Sequence, residues 1–161
     1  MDKTQEQFGI TGRIRIIATK AGTKKELRQT PWFRNLVVSS SNYGRNLIAQ
    51  RLASINTYSL NITHGELGTG TVAPTNNDTA LATPADRVAT TYKSVTNNVV
   101  LLQFFWSDAD LANGTYREFG TFIDGSAALG SGQLFNRALF GTAYTKAAGE
   151  DTTVEVEFTI N

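Results

Sequence analysis

Gly65-Glu-Leu-Gly-Thr-Gly-Thr-Val-Ala-Pro-Thr-Asn-Asn-Asp-Thr-Ala-Leu81 divides this chain into two unlike parts. A short alternating run with Leu60 and Ile62 leads into it, Gly68 and Gly70 break that run, and Leu81 returns the chain to apolar contact. Ahead of it lie two expected strands and one expected helix; behind it lie only strands and turns. The segment reads as a long ordered connection from a helix-bearing front to a β-sandwich. Its glycines are expected to hold backbone angles closed to other residues.

Working back from it, Tyr43, Leu47, Ile48, Leu52 and Ile55 recur at helical spacing after the cap-forming Ser39-Ser-Ser-Asn42. That pattern predicts an amphipathic helix of about three turns, with Gly44 weakening its start. Glu26 to Val38 predicts a strand in which Pro31, lacking an N–H, marks an edge, bulge or break. Gly12-Arg-Ile-Arg-Ile-Ile-Ala-Thr19 alternates and predicts a half-buried strand, followed by a turn centred on Gly22. Residues 1–11 show no period and read as an arm.

Working forward, Arg87 to Lys93 predicts a strand and Asn97-Asn98 a turn. Val99 to Trp106 is apolar on both faces and predicts the central core strand, with Trp106 inside. Thr115 to Ile123, with a bulge expected at Gly120, and Gln133 to Phe140 predict two more strands around a Gly/Ala/Ser-rich loop at 124–132, expected to be flexible. The last run is the cleanest. Val154, Val156, Phe158 and Ile160 alternate with Thr153, Glu155, Glu157 and Thr159, so one face packs inward and an acidic face points to water or a partner.

The 161 residues suffice for one well-buried domain. No apolar run approaches the roughly 20 residues of a membrane helix, and the polar start Met1-Asp-Lys-Thr-Gln-Glu-Gln is not expected to be a secretory signal. The chain has no cysteine, which excludes disulfides and thiolate metal sites. Charge is uneven: residues 1–51 carry about +7 and the remainder about −6. A basic front that docks on an acidic partner or a second copy, and a solvated face with clustered charge, are both open readings.

Catalytic patterns are weak. Gly68-Thr-Gly-Thr-Val-Ala73 has the letters of a dinucleotide fingerprint, but Pro74 and the Asn/Asp/Thr cluster prevent the helix that would face a pyrophosphate. Asp108-Ala-Asp110 with Asn113-Gly114 resembles a calcium loop with spacing wrong for an EF-hand; a loose Ca²⁺ site there stays open beside the simpler Asx-rich turn. His64 is the single histidine, so a triad or multi-histidine zinc site is out of reach. Glu118, on an apolar strand, is expected in a structural ion pair or backbone hydrogen bond. No cofactor is expected.

Four pieces resemble a family of tailed-bacteriophage virion proteins: Asn35-Leu-Val-Val38 before a short helix; Leu67-Gly-Thr-Gly-Thr-Val-Ala-Pro-Thr75 with Asp78-Thr-Ala-Leu81 and Arg87; Tyr116-Arg-Glu-Phe-Gly-Thr-Phe122; and Leu134 through Lys146 to the last strand. They span about residues 30–160. Similar motifs occur at the front of tail-collar fibre proteins and in small phage structural proteins, and they carry no catalytic residues. Unlike the fibre proteins, this chain is expected to end without shaft repeats or a receptor-binding tip.

The expected fold is mainly β: a jelly-roll-like two-sheet sandwich over residues 12–161, one short amphipathic helix, and an extended arm over 1–11. The resemblance implies a structural virion protein, not an enzyme, assembled in the bacterial cytoplasm. Capsid decoration leads, and a tail, baseplate or connector protein anchoring a fibre is the alternative. Its expected partner is the major capsid protein or a neighbouring virion protein, in a homotrimer and without membrane or nucleic acid. Nucleic-acid and carbohydrate binding are weaker readings, separable by gel shift and ligand screening. Expected partner-binding residues are Lys3, Phe8 and Ile10 in the arm, Arg13 and Arg15 beside it, and Trp32 next to Pro31.

Overall fold

The computed structural model describes residues 9–161. Its elements are β1 (Ile10–Lys20), β2 (Glu26–Gln29), β3 (Phe33–Val37), α1 (Arg45–Leu52), β4 (Ile62–Gly68), β5 (Pro84–Thr96), β6 (Val99–Trp106), β7 (Gly114–Ile123), β8 (Gln133–Lys146) and β9 (Glu150–Ile160). The fold is mainly β, as expected, with one short helix. It is not a clear jelly-roll sandwich. Eight antiparallel strands close into a barrel in the order β1-β3-β8-β7-β4-β5-β6-β9, with β9 returning to β1 and β2 added on β1.

Two corner strands close the ladder where a sandwich would leave edges. β3 pairs with β1 through Phe33–Asn35 and with β8 through Leu36 and Val37. β5 pairs with β4 as far as Ala89 and with β6 from Thr90 onward, with a register shift between Thr90 and Tyr92. Such irregularities bend a strand and let it change neighbours. Pro31 does the same between β2 and β3. Thr30 donates its N–H to Ile16 O and accepts the Ile16 N–H on Oγ1, both at 2.9 Å, so the ladder skips the proline.

The front of the chain is therefore not separate from the rest. β1 and β9 pair without a break from Ile10↔Ile160 to Lys20↔Glu150. Ile14, Ile16 and Ala18 of β1 meet Val154, Val156 and Phe158 of β9 and Leu102, Phe104 and Trp106 of β6 in the core. Phe104 packs on Phe119 at 5.4 Å, and Phe135 meets Phe158 edge-on at 5.2 Å. Trp106 is buried, as expected, and its indole N–H reaches Asp86 Oδ1 at 2.7 Å.

Several boundaries move. Ile10 and Thr11 belong to β1 and not to an arm, while Lys3 and Phe8 lie outside the described residues. Gly65 to Gly68 belong to β4, so the connecting segment is 69–83. The helix has eight residues, Leu47 is its one buried side chain, and Leu52 and Ile55 are exposed. No side chain caps it. Gly44 stands at the N-cap with φ 53°, and a Cβ there would lie 1.9 Å from Val38 O. Backbone packing, not the serine run, starts the helix.

Candidate functional site

The β1–β9 ladder gathers three of the expected partner-binding residues on its outer face. Arg13 stands opposite Glu157 and Arg15 opposite Glu155. Arg13 Nη2 lies 2.6 Å from Glu157 Oε2, and Arg15 Nε lies 2.7 Å from Glu155 Oε2. Arg15 also donates to Gln29 Oε1 at 3.1 Å, and Gln103 Nε2 donates to Glu155 Oε1 at 2.8 Å. The Trp32 ring spans both guanidinium groups, with centroid distances of 4.4 and 4.6 Å. Each contact is worth roughly 0.5–1 kcal/mol at an exposed site. Ile10 lies further along β1, and Phe105 and Tyr92 extend the face as half-exposed aromatics.

The basic front and acidic back thus meet inside one chain. The acidic face of β9, expected to point to water or a partner, is matched by the arginines of its neighbour. Strand pairing thus neutralises Arg13 and Arg15 within the chain, while Arg34 and Arg45 of the basic front have no carboxylate partner among the described residues.

The opposite wall of the barrel is clothed by the chain itself. Glu118, fully buried, accepts the N–H groups of Gly70 (3.0 Å), Ala82 (3.0 Å) and Thr83 (2.7 Å). Arg137 donates to the same carboxylate through Nε (3.0 Å) and Nη2 (2.8 Å), and also reaches Asp78 Oδ2 (2.6 Å) and Val72 O (2.7 Å). The expected structural role of Glu118 holds; its partner is Arg137. Gly68 and Gly70 are absent from the positive-φ positions, contrary to expectation. They are glycine because of close approach: a Cβ on Gly70 would lie 2.3 Å from Glu118 Oε1, and one on Gly68 would lie 2.6 Å from Thr83 O. Burial raises the Asp78 pKa, but hydrogen bonds from Thr75 and Arg137 outweigh it and leave the carboxyl below its usual range.

A second buried pair holds the 124–132 loop. Arg87 Nη1 donates to Glu66 Oε2 at 2.9 Å and its Nη2 to Ser131 O at 2.5 Å, while Gly130 N donates to Glu66 at 2.8 Å. The Gly-rich loop read as flexible is pinned from inside. Burial, and then Arg87, lower the pKa of His64, whose Nδ1 lies 3.0 Å from Thr63 Oγ1. The imidazole is therefore neutral at pH 7.

At the β8–β9 corner the supposed calcium loop holds a side-chain cation. Lys146 Nζ, fully buried, donates to Asp108 Oδ1 (2.6 Å), Asn113 Oδ1 (3.0 Å) and Ala147 O (3.3 Å). The ammonium sits where those oxygens converge. Asp110 turns away to Ser107 Oγ at 2.6 Å. The hydrogen bond from Lys146, aided by backbone N–H groups, holds the Asp108 carboxyl below its usual range. Glu150 is lowered likewise by Arg28, which pairs with both its oxygens.

Arg137, Lys146 and Asn35 fall within the phage-like motifs, but nothing in the sequence assigns their side chains a polar role. Each stands in an ordinary strand pattern, and only folding brings its partners near. No family model, curated protein or solved structure showed a significant match to this chain.

Proposed function

We propose that this chain is a structural protein of a tailed-bacteriophage virion, that it decorates and stabilises the assembled head, and that it has no catalytic role. One observation supports the reading above others: the residues of the phage-like motifs come together in a single clamp. Gly70 and Asp78 from one motif, Glu118 from another and Arg137 from the last join the 69–83 segment to the barrel wall. Polar groups used in this way stabilise a shape and are not free to act on a substrate. The Arg13–Arg15–Trp32 face, left bare on the other wall, is the contact for the major capsid protein, with three copies around a threefold position.

The test uses heads and tails purified from the phage that encodes the chain. The protein is expected to co-sediment with heads and raise their melting temperature. A variant carrying Arg13→Gln, Arg15→Gln and Trp32→Ala, which places no like charge opposite Glu157 or Glu155, is expected to stay folded and lose binding. Binding to tails alone would favour the second reading, a tail or connector protein anchoring a fibre, which the occurrence of the same motifs in tail-collar fibre proteins recommends. Binding to neither particle would overturn the virion reading, and a monomer on the bound particle would overturn the trimer.

A further inference from the structure

At the corner strand β3 the barrel is split, and the chemistry of that seam points to a ligand. β1 keeps β9 on one side along its whole length, but its other side pairs with β3 only at Gly12 to Ile14. Beyond Gly12, β3 turns away to β8. The edge of β1 at Ile10 and Thr11 therefore carries no strand among the described residues. A cleft of about 410 Å³ opens there, lined by Ile10, Thr11, Leu36 and Val37, with Arg34 and Arg45 at its rim.

Two features inside the cleft are unexplained by the fold. Both polar atoms of the Asn35 amide are buried and have no hydrogen-bond partner. Native structures rarely leave such a group unsatisfied, because desolvation is costly. The amide lies against Gly12, where a Cβ would come within 1.9 Å of Asn35 Oδ1. The absent side chain leaves room for it at the seam. The rim is also unbalanced. Glu157 is engaged by Arg13, Arg45 donates only to the neutral Asn76 Oδ1 at 3.0 Å, and Arg34 has no carboxylate partner among the described residues.

We propose that this seam is a docking cleft for an extended acidic segment of another protein chain. The segment adds a short strand to the free edge of β1. One of its peptide groups, offering a donor and an acceptor side by side, satisfies both atoms of the Asn35 amide. An apolar side chain fills the space between Ile10, Leu36 and Val37, and a carboxylate reaches Arg34 and Arg45. A small anion would meet the arginines but leave the amide and the strand edge unpaired. The inference stands whether or not the chain belongs to a virion.

The experiment uses the full chain, isotopically labelled, and two synthetic peptides: one alternating valine with glutamate, the other valine with lysine. The acidic peptide is expected to shift the backbone amides of Ile10 and Thr11 and the side-chain amide of Asn35. Arg34→Glu with Arg45→Glu is expected to weaken it at least tenfold. Asn35→Leu gives the sharper reading: it is expected to raise the melting temperature, by removing an unsatisfied amide, while also weakening the peptide at least tenfold. Absence of shifts, equal binding of the lysine peptide, or unchanged binding by Asn35→Leu would overturn the proposal. So would binding seen only after residues 1–8 are deleted, since the cleft would then be occupied by this chain's own N-terminus.

Discussion

Glu118 and Arg13 are both paired with a charge of opposite sign, yet they contribute very differently. Glu118 and Arg137 are buried, and their surplus hydrogen-bonding capacity goes to backbone groups. Replacing Glu118 by Gln leaves the Arg137 cation with Asp78 as its one remaining carboxylate and turns an amide donor toward N–H donors. Loss of one partner from a buried pair costs about 3–5 kcal/mol. Arg13, half exposed, is worth below about 1 kcal/mol to its pair with Glu157. Urea denaturation is expected to separate Glu118→Gln from Arg13→Ala by that margin, and equal midpoints would contradict the assignment of the clamp. At Gly70 the obstacle is contact, not backbone angle. Gly70→Ala is expected to cost about 1–3 kcal/mol by overpacking against Glu118. A crystal structure of that variant should show the 69–83 segment displaced, not a changed φ at residue 70.

Among the elements, the β8–β9 corner carries the clearest dependence on pH. Asp108 and Glu150 have folded pKa values below their ordinary 3.8 and 4.5. Each binds a proton less readily in the folded than in the unfolded chain. Their contribution is therefore complete above about pH 5 and is lost as pH falls through the folded values. The melting temperature is expected to fall between about pH 5 and pH 3, and to fall less in Lys146→Met, where Asp108 has lost its cation. Identical acid profiles for the two proteins would show that the corner does not titrate as argued. The helix is the contrasting element. Its apolar stripe reaches the core only through Tyr43, Leu47 and Ile48, and the contact of Gly44 with Val38 fixes its start; the periodic Leu52 and Ile55 beyond them end up in water.

For the whole molecule, closure is the dominant event. The longest uninterrupted pairing joins β1 and β9, the two ends of the described chain. Contacts so distant in sequence are slow to form, because loop-closure entropy comes before the gain. Once formed, they protect the centre of the core. Native-state hydrogen exchange is expected to find the slowest amides in β1, β9 and β6 and the fastest in α1 and the 53–61 segment. A β9 that exchanged as fast as α1 would mean that the barrel opens at the β1–β9 seam.

Much of this architecture is legible in the residues alone. Alternation in Gly12–Thr19 and Val154–Ile160 determined which side chains enter the core, because side-chain period in a strand is fixed by the backbone. Pro31 marked a ladder break because it lacks an N–H, and Gly22 marked a turn that does hold φ 70°. Arg13, Arg15 and Trp32 were each legible as partner-binding candidates, although neither their stacking on one another nor their neutralising partners were. What folding alone decided is everything that depends on which strand lies beside which. Closure into a barrel, the pairing of Arg13 and Arg15 with Glu157 and Glu155, the Lys146 ammonium among the oxygens of a supposed calcium loop, and the open seam at Asn35 all join positions far apart in sequence. Local periodicity says which face of a strand is buried. It contains no term for the neighbour, and the neighbour sets the charge, the contact distance and the unpaired edge.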